Sequence, residues 1–224
     1  MIPQHAPLRI VGDVHGDARA FALAVDTDRF VVQLGDLVDG GEDSAGTLRI
    51  ALDLLESGRG LFLLGNHDHK LARLLSGRAV KADATLLATA AQLDEALRAR
   101  VLAAITQAPA WLRRGHAFFV HGGFHTAMLH HQTPPFGGKV EGPLARALFG
   151  QTTGRRQPDG YPERLLDWVD RIPAGLTVYC GHDIRSRDGR PWIRSGAGGG
   201  KAVFLDTGAG KGGHLSWIDL PGEE

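Results

Sequence analysis

Short apolar segments that end in clusters of glycine and polar residues constrain this chain more than any other feature. Runs rich in valine, isoleucine, leucine and phenylalanine predict buried strands at residues 8–11, 30–34, 60–64, 117–120, 176–180, 202–205 and 215–220. Apolar residues at helical spacing predict helices at 18–25 and 45–57, and a longer helical region at about 71–108. This alternation predicts an α/β sandwich whose polar loops gather along one edge of the sheets.

Five of the polar clusters follow one another in a distinctive order. They are Gly12-Asp13-Val14-His15-Gly16, Gly35-Asp36-Leu37-Val38-Asp39-Gly40, Gly65-Asn66-His67-Asp68, Val120-His121-Gly122-Gly123 and Gly181-His182-Asp183. Each offers oxygen or imidazole nitrogen ligands, a mixture that suits manganese, iron, zinc or cobalt better than calcium. One cluster alone has an ordinary explanation, such as a helix cap at Asp13 or a turn at Gly65-Asn66. All five together, each after its own apolar run, predict a metal centre.

This ordered set resembles the motifs of the calcineurin-like metallophosphoesterases. The resemblance implies a two-sheet αββα sandwich, which we expect to occupy residues 1–224 as a single domain. It also implies a metal centre with the ligands Asp13, His15, Asp36, Asn66, His121 and His182. Two ions would share the carboxylate of Asp36, and a hydroxide between them would attack the phosphorus in line with the leaving group. We expect manganese, with iron, zinc, cobalt and nickel as alternatives.

The resemblance also assigns acid–base residues beside the metal ligands. His67 matches the family residue that faces the substrate and protonates the leaving-group oxygen, a task that suits imidazole near neutral pH. Asp39 matches the carboxylate that orients this histidine. Asp68 is an alternative orienting group, or else a carboxylate favoured by the dipole at the start of a helix. The sequence leaves both possibilities open.

Longer stretches resemble one branch of the family, the phosphatase module of bacterial polynucleotide kinase-phosphatases. These stretches are residues 65–78, 149–154 and 205–215. The related diadenosine-tetraphosphatase and bacterial protein-phosphatase branches share the metal motifs and the Asp-Thr-Gly tail. We therefore expect hydrolysis of phosphomonoesters or phosphodiesters in a phosphorylated small molecule or nucleotide, with nucleic-acid ends as a further substrate class. The alternatives are a protein Ser/Thr phosphatase, a diadenosine-polyphosphate hydrolase, or a binding protein that keeps the fold, although a complete set of ligand candidates favours an enzyme.

One departure from the family pattern affects the phosphate site. The family usually has an arginine that holds the phosphate at the position of Gly40. Loss of such a charge-assisted contact predicts weaker monoester binding and greater tolerance of diesters or cyclic phosphates. The candidate replacements are Arg73, Arg78, Arg155 and Arg185, although a solvated surface charge is the better explanation of each.

Composition narrows the function classes further. The chain has 25 basic and 25 acidic residues, so its net charge gives no steering toward nucleic acids. The single cysteine, Cys180, excludes an intrachain disulfide and fits a reducing cytoplasm, where we expect the protein to act. No apolar run approaches the length of a membrane span. The sequence has no P-loop motif, so we expect no kinase module. No feature of the sequence indicates an obligate protein partner. We expect residues 196–200 to form a flexible loop and residues 210–213 a hairpin loop.

Overall fold

The computed structural model describes residues 2–158 and 160–222. Within them the strands are β1 (Leu8–Val11), β2 (Phe30–Gln33), β3 (Gly60–Phe62), β4 (Trp111–Arg114), β5 (Ala117–Val120), β6 (Thr152–Arg156), β7 (Pro162–Arg164), β8 (Thr177–Cys180), β9 (Trp192–Ser195), β10 (Lys201–Phe204) and β11 (Trp217–Leu220). The helices are α1 (Ala18–Ala24), α2 (Ser44–Glu56), α3 (Asn66–Leu75), α4 (Ala84–Ala91), α5 (Glu95–Gln107) and α6 (Gly142–Phe149), with 3₁₀ turns at Thr126–Leu129 and Asp167–Arg171. The predicted strands and the first two helices are confirmed to within two residues at each end.

Two β-sheets form the centre of the molecule. One has the strand order β11-β1-β2-β3 and the other the order β4-β5-β8-β10-β9, while β6 and β7 form a separate hairpin. Strands β1, β2 and β3 run parallel to one another, as do β5, β8 and β10. Parallel strands of one sheet end at the same edge, so the polar clusters that follow them are brought together.

The two sheets bury an apolar layer between them. Alternate residues of a strand point to opposite faces, and one alternating set, including Leu8, Ile10, Phe119 and Val203, forms a single buried cluster drawn from both sheets. The other set belongs to a larger cluster that takes in the helices, in which Val31 is buried together with residues of α1 and α2. This layering is the predicted αββα sandwich.

The helical region predicted at about 71–108 is divided into three separate helices. Helix α3 ends before Gly77, whose φ of 69° is easiest for glycine. The carboxylates of Asp83 and Asp94 then accept hydrogen bonds from the backbone N–H groups of Leu86 and Leu97, so each begins a new helix. The apolar stripe continues across these breaks because all three helices face the same core.

The glycine-rich segment 196–200 is a hydrogen-bonded turn between β9 and β10, where the sequence predicted a flexible loop. Gly196 N–H donates to the carbonyl of Gly200, and Gly198 N–H donates to the carbonyl of Asp170, at 2.9 Å in each case. The segment is therefore tied to the 3₁₀ turn beside it. Among the described residues, no helix combines the length and apolar character needed to cross a membrane.

Candidate metal centre

The six predicted metal ligands lie on loops that follow the parallel strands. Asp13 and His15 follow β1, Asp36 follows β2, Asn66 begins α3 after β3, His121 follows β5 and His182 follows β8. The structure brings all six together, although they come from both sheets. Four of them, Asp13, His15, Asp36 and His121, are at most 2% exposed.

Asp36 lies at the centre of this group. Its Oδ2 atom is 3.7 Å from Nε2 of His15 and 3.4 Å from Nε2 of His121. Two sets of potential ligand atoms, each lying within 4.8 Å of one another, include this carboxylate: one with His15 and His67, the other with His121 and His182. Asp36 can therefore serve two neighbouring ions.

Asp206 is a further candidate ligand that the sequence analysis did not single out. It follows β10 and forms a third group of close ligand atoms with Asp13 and His15. Its Oδ1 accepts a hydrogen bond of 3.0 Å from Gly208 N–H, which fixes the carboxylate. The position after a parallel strand was the available signal, since every other candidate ligand shares it.

Hydrogen bonds fix the orientation of two imidazoles. Nδ1 of His15 donates to the carbonyl of Asp39 at 2.9 Å, and Nδ1 of His121 donates to the carbonyl of Leu34 at 3.0 Å. Carbonyl oxygens only accept, so the proton of each neutral ring is on Nδ1 and the lone pair is on Nε2. This arrangement is typical of metal-binding histidines.

Several buried acceptors in the centre lack donors. Nε2 of His182 is buried and has no hydrogen-bond partner among the described residues. Nε2 of His121 lies 3.0 Å from Oδ1 of Asn66, which leaves two acceptors facing each other when the ring is neutral. Buried polar atoms without partners are destabilising, and a cation would satisfy both. The residues present therefore fit a divalent metal ion with oxygen and nitrogen ligands.

The electrostatics of the centre also favour a cation. Burial, together with the charges of Asp206 and Asp36, raises the pKa of the Asp13 carboxyl well above its usual range. Burial and the neighbouring His121 lower the pKa of His182 well below its usual range, which keeps the ring neutral, as a ligand must be. Asp13 accepts a hydrogen bond of 3.0 Å from the backbone N–H of His182, joining the ligands of the two sheets.

Left-handed backbone conformations position four of the predicted site residues. The φ angles are 48° at His15, 57° at Asp36, 68° at Asp39 and 67° at His182. For residues with a Cβ atom this conformation costs roughly 1–2 kcal/mol each. The surrounding hydrogen bonds must therefore hold these loops in place.

His67 and Asp39 form a hydrogen-bonded pair beside the ligands. Nδ1 of His67 is 2.7 Å from Oδ2 of Asp39, and the other carboxylate oxygen accepts a hydrogen bond of 2.6 Å from Oγ1 of Thr89. Burial opposes protonation of His67, but the charge of Asp36 and the hydrogen bond that His67 donates to Asp39 outweigh it and raise the pKa of His67. Nε2 of His67 remains available and lies 3.9 Å from Oδ2 of Asp36.

Asp68 has a different position from that of an orienting group. Its Oδ2 accepts a hydrogen bond of 2.7 Å from Asp36 N–H, and its Oδ1 accepts one of 3.0 Å from Leu37 N–H. Gly65 N–H donates to the same carboxylate at 3.2 Å. Asp68 therefore joins the start of α3 to the Asp36 loop, whereas Asp39 is the carboxylate in contact with His67.

The four arginines suggested as replacements for the missing one have other partners. Arg73 donates to the carbonyl of Ala79, and Arg78 to the carbonyl of Gly137. Arg155 pairs with Glu163 and Arg185 pairs with Asp183. Among residues 2–158 and 160–222, no hydrogen bond or ion pair connects these four to the six predicted ligands.

Two other cations approach the centre, and the sequence analysis missed both. Arg164, at the end of β7, donates from Nη1 to the carbonyl of Phe149 at 2.5 Å, while its buried Nε has no partner within the described part of the chain. Its positive charge contributes to the low pKa of His182, after burial and His121. The Nζ atom of Lys211 lies 2.7 Å from Nε2 of His15. No local sequence signal marks either residue.

Together, the two-sheet sandwich and the shared carboxylate at the strand ends define a class of metal-dependent phosphoesterases. The sequence profile of the calcineurin-like phosphoesterase family matches residues 6–183, and the chain belongs to this family. It is accordingly a hydrolase of phosphoric esters that uses divalent metal ions.

Individual relatives extend across most of the chain. A bis(5'-nucleosyl)-tetraphosphatase PrpE (asymmetrical) of Anoxybacillus flavithermus is 26% identical over 95% of this chain and 89% of its own length. A symmetrical bis(5'-nucleosyl)-tetraphosphatase of Ralstonia nicotianae is 27% identical over 99% of this chain and 75% of its own length. A serine/threonine phosphatase from Saccharomyces cerevisiae superposes with a TM-score of 0.63 over 99% of this chain and 81% of its own, at 13% identity, a likeness that shows the fold alone.

Proposed function

We propose that this protein hydrolyses phosphoric ester or anhydride bonds of nucleotides, with two divalent ions, of which manganese is the expected metal. The observation that carries the proposal is the position of the Asp36 carboxylate within both sets of ligand atoms, next to the pair formed by His67 and Asp39. A carboxylate between His15 on one side and His121 and His182 on the other suits a pair of ions. The protonated imidazole of His67 beside it suits a leaving group that needs a proton. We propose that residues 1–224 act as one domain, because both sheets contribute to this single site.

The proposed ligand assignment is the one that the family resemblance implies, and the distances within the centre support it. One ion would be held by Asp13, His15 and Asp36, with Asp206 nearby, and the second by Asp36, Asn66, His121 and His182. Ions held there would activate water and neutralise charge on the phosphate oxygens. The chain itself keeps the imidazoles neutral and aimed by hydrogen bonds to backbone carbonyls.

His67 is the proposed general acid. Asp39 accepts the Nδ1 proton of His67, so Nε2 is the nitrogen that can donate to the leaving-group oxygen. The raised pKa keeps the ring protonated at a higher pH than an ordinary histidine. Positioned general acids contribute roughly 10²–10⁴-fold to rate. The gain is largest for poor leaving groups such as alkoxides.

Arg164 is the proposed arginine contact for the phosphate. Its buried Nε has no partner among the described residues, and its charge lowers the pKa of His182, which supports a role near the proposed second ion. A guanidinium can offer two parallel hydrogen bonds to phosphate oxygens. Arg164 therefore joins Arg73, Arg78, Arg155 and Arg185 as a proposed substrate-binding residue and is the one we favour.

Nucleotides are the proposed substrate class for two reasons. The relatives described above are named for bis(5'-nucleosyl) tetraphosphates, and their similarity extends over nearly the whole chain. In addition, a cleft of about 560 Å³ adjoins the Gly40 loop, with Gly16, Arg19 and Gly210 among its lining residues. It offers space for a nucleoside group, while the carboxylates of Asp17, Glu42 and Asp43 in its lining do not favour a second phosphate.

A substrate panel on the purified, manganese-loaded protein tests this proposal. The panel contains diadenosine tetraphosphate, ATP, p-nitrophenyl phosphate, its bis-ester, 2',3'-cyclic nucleotides, phosphorylated oligonucleotides and a phosphoserine peptide. We expect the highest kcat/KM for a nucleotide, and chromatography of the products shows whether the tetraphosphate gives ATP and AMP or two ADP. Asp36→Asn should abolish turnover, while the exposed control Asp53→Asn should not. A marked preference for the peptide would replace this proposal with a protein phosphatase, and no turnover of any substrate would refute it.

A further inference from the structure

The loop after β10 delivers a lysine to the candidate metal centre from a distant part of the chain. Lys211 is partly exposed, and its ammonium lies 2.7 Å from Nε2 of His15. This nitrogen carries the lone pair of His15, because its Nδ1 proton is donated to the carbonyl of Asp39. The ammonium therefore reaches the rim of the cluster formed by Asp13, Asp36 and Asp206.

Backbone contacts fix the loop that carries this lysine. Lys211 N–H donates to the carbonyl of Gly208 at 3.0 Å, and Nη1 of Arg187 donates to the carbonyl of Lys211 at 3.1 Å. Gly210 has a φ of 65°, and a Cβ there would collide with the carbonyl oxygen of His15. Only glycine lets the loop pass this close, so the chain is built to bring residue 211 to the site.

The loop that carries Lys211 also lies close to Gly40, which has no side chain. A Cβ on Gly40 would be 3.4 Å from the carbonyl oxygen of Gly210 and 3.5 Å from Cβ of His15. The Gly40 loop and the loop that carries Lys211 therefore both pack against His15. The two loops form one wall of the site, with Lys211 providing its positive charge.

We propose that Lys211 is a substrate-positioning residue that binds a non-bridging oxygen of the reacting phosphate when the ions are in place. This inference rests on the proposed function of the site. Nε2 of His15 has one lone pair, so the ammonium must leave it when His15 binds an ion. The displaced ammonium stays beside the ions, because its loop is fixed. The ions would neutralise the nearby carboxylates of Asp13, Asp36 and Asp206, which leaves an oxygen of a bound phosphate as its anionic partner. A lysine ammonium acts as a point charge, so it can bind the phosphate oxygens of either an ester or an anhydride.

Lys211→Met tests the proposal with inorganic phosphate as the probe. Calorimetry on the manganese-loaded protein should show phosphate affinity weakened roughly ten- to hundredfold, the loss expected for one charge-assisted contact. The manganese content should remain that of the wild type. Lys81→Met, at an exposed lysine remote in sequence from the site, is the matched control and should bind phosphate normally.

Chemical rescue separates loss of charge from loss of structure. Cys180 is the only cysteine and is 0% exposed, so a cysteine introduced by Lys211→Cys can be alkylated selectively. Aminoethylation restores an ammonium at nearly the original length and should restore phosphate affinity and kcat/KM for p-nitrophenyl phosphate. Carbamidomethylation adds a neutral group and should restore neither.

Two results would overturn the inference. Unchanged phosphate affinity in Lys211→Met, with tighter manganese binding, would show that Lys211 only occupies the position of an ion in the metal-free protein. Loss of manganese from Lys211→Met, with no recovery of manganese in aminoethylated Lys211→Cys, would make its role structural. Failure of the nucleotide panel on the wild type is a separate outcome, since phosphate binding is measured without turnover.

Discussion

Asp39→Asn is expected to move the alkaline limb of the pH–rate profile to lower pH. A general acid must be protonated, so the rate falls as the pH rises through the pKa of His67. The charge of Asp36 and the hydrogen bond to Asp39 raise this pKa against the effect of burial. Asparagine has nearly the same shape as aspartate and can still accept the Nδ1 proton, while Thr89 turns its hydroxyl to accept from the amide. The substitution therefore removes charge with little change in geometry.

The size of the shift follows from the contact that is weakened. A hydrogen bond to a charged group contributes about 1.5–3 kcal/mol. Asparagine keeps a neutral hydrogen bond of about 0.5–1.5 kcal/mol, so the protonated form of His67 loses roughly 1–1.5 kcal/mol. The His67 side chain is only 25% exposed, so screening by solvent removes little of this effect. The alkaline limb therefore moves to lower pH, and the rate at a given pH on this limb should fall roughly five- to tenfold.

The assay compares kcat/KM for phenyl phosphate and p-nitrophenyl phosphate across the pH range in the manganese-loaded wild type and Asp39→Asn. The shift should be clear for phenyl phosphate and much smaller for p-nitrophenyl phosphate, whose leaving group needs no proton. His67→Asn should remove the limb and lower the phenyl phosphate rate by roughly 10²–10⁴-fold, with exposed His130→Asn as the control. A limb that stays in place in Asp39→Asn, or equal effects on both esters, would refute the assignment of His67 as the acid.

Three further substitutions test other parts of the site. Asp36→Asn should lower the ion content measured by elemental analysis below that of wild type and Asp53→Asn, and two tightly held ions in the variant would contradict the shared-ligand role. Asp68→Ala leaves buried N–H groups without acceptors at about 1–3 kcal/mol each, so urea unfolding of the ion-free protein should show a loss of several kcal/mol. Asp68→Asn should lose less, and an unchanged unfolding midpoint for Asp68→Ala would oppose the reasoning. Gly40→Arg should lower monoester kcat/KM, because its φ of 115° disfavours any side chain and the carbonyl oxygen of Gly210 lies 3.4 Å from the Cβ position. A gain over Gly40→Ala would instead support the arginine clamp.

The elements and ligands that the sequence predicted share one physical property, which is that their signal is local. Strands such as β2 and β5 are buried runs of apolar residues, and each is followed directly by its ligand. Strands β4 and β9 escaped prediction because they are antiparallel edge strands and carry exposed residues among their apolar ones. The apolar stripe over 71–108 could be recognised in the sequence. It indicated which residues face the core, but not that the helices are interrupted before Asp83 and Asp94.

The positively charged residues near the proposed phosphate site could not be predicted, because their contacts join parts of the chain that are distant in sequence. Lys211 contacts His15 across 196 positions of sequence. Arg164 reaches the centre from a short hairpin in the least regular part of the chain. The sequence suggested four other arginines by composition alone, and it could not choose between Asp39 and Asp68 as the partner of His67. Such choices depend on how loops from different strands meet, which the sequence pattern does not specify.

The left-handed residues at the site affect how this protein can be made more heat-resistant. Glycine adopts positive φ angles without steric conflict, so replacing His15 or Asp36 by glycine would relax the backbone as it destroyed the centre. A library screened only for survival of heating, in the presence of a chelator, would therefore enrich inactive variants. Adding manganese during the screen reverses this bias. An ion that binds only the folded chain stabilises it, so variants that keep the metal ligands survive heating better. The choice of buffer would then decide whether evolution in the laboratory preserves the enzyme or only its fold.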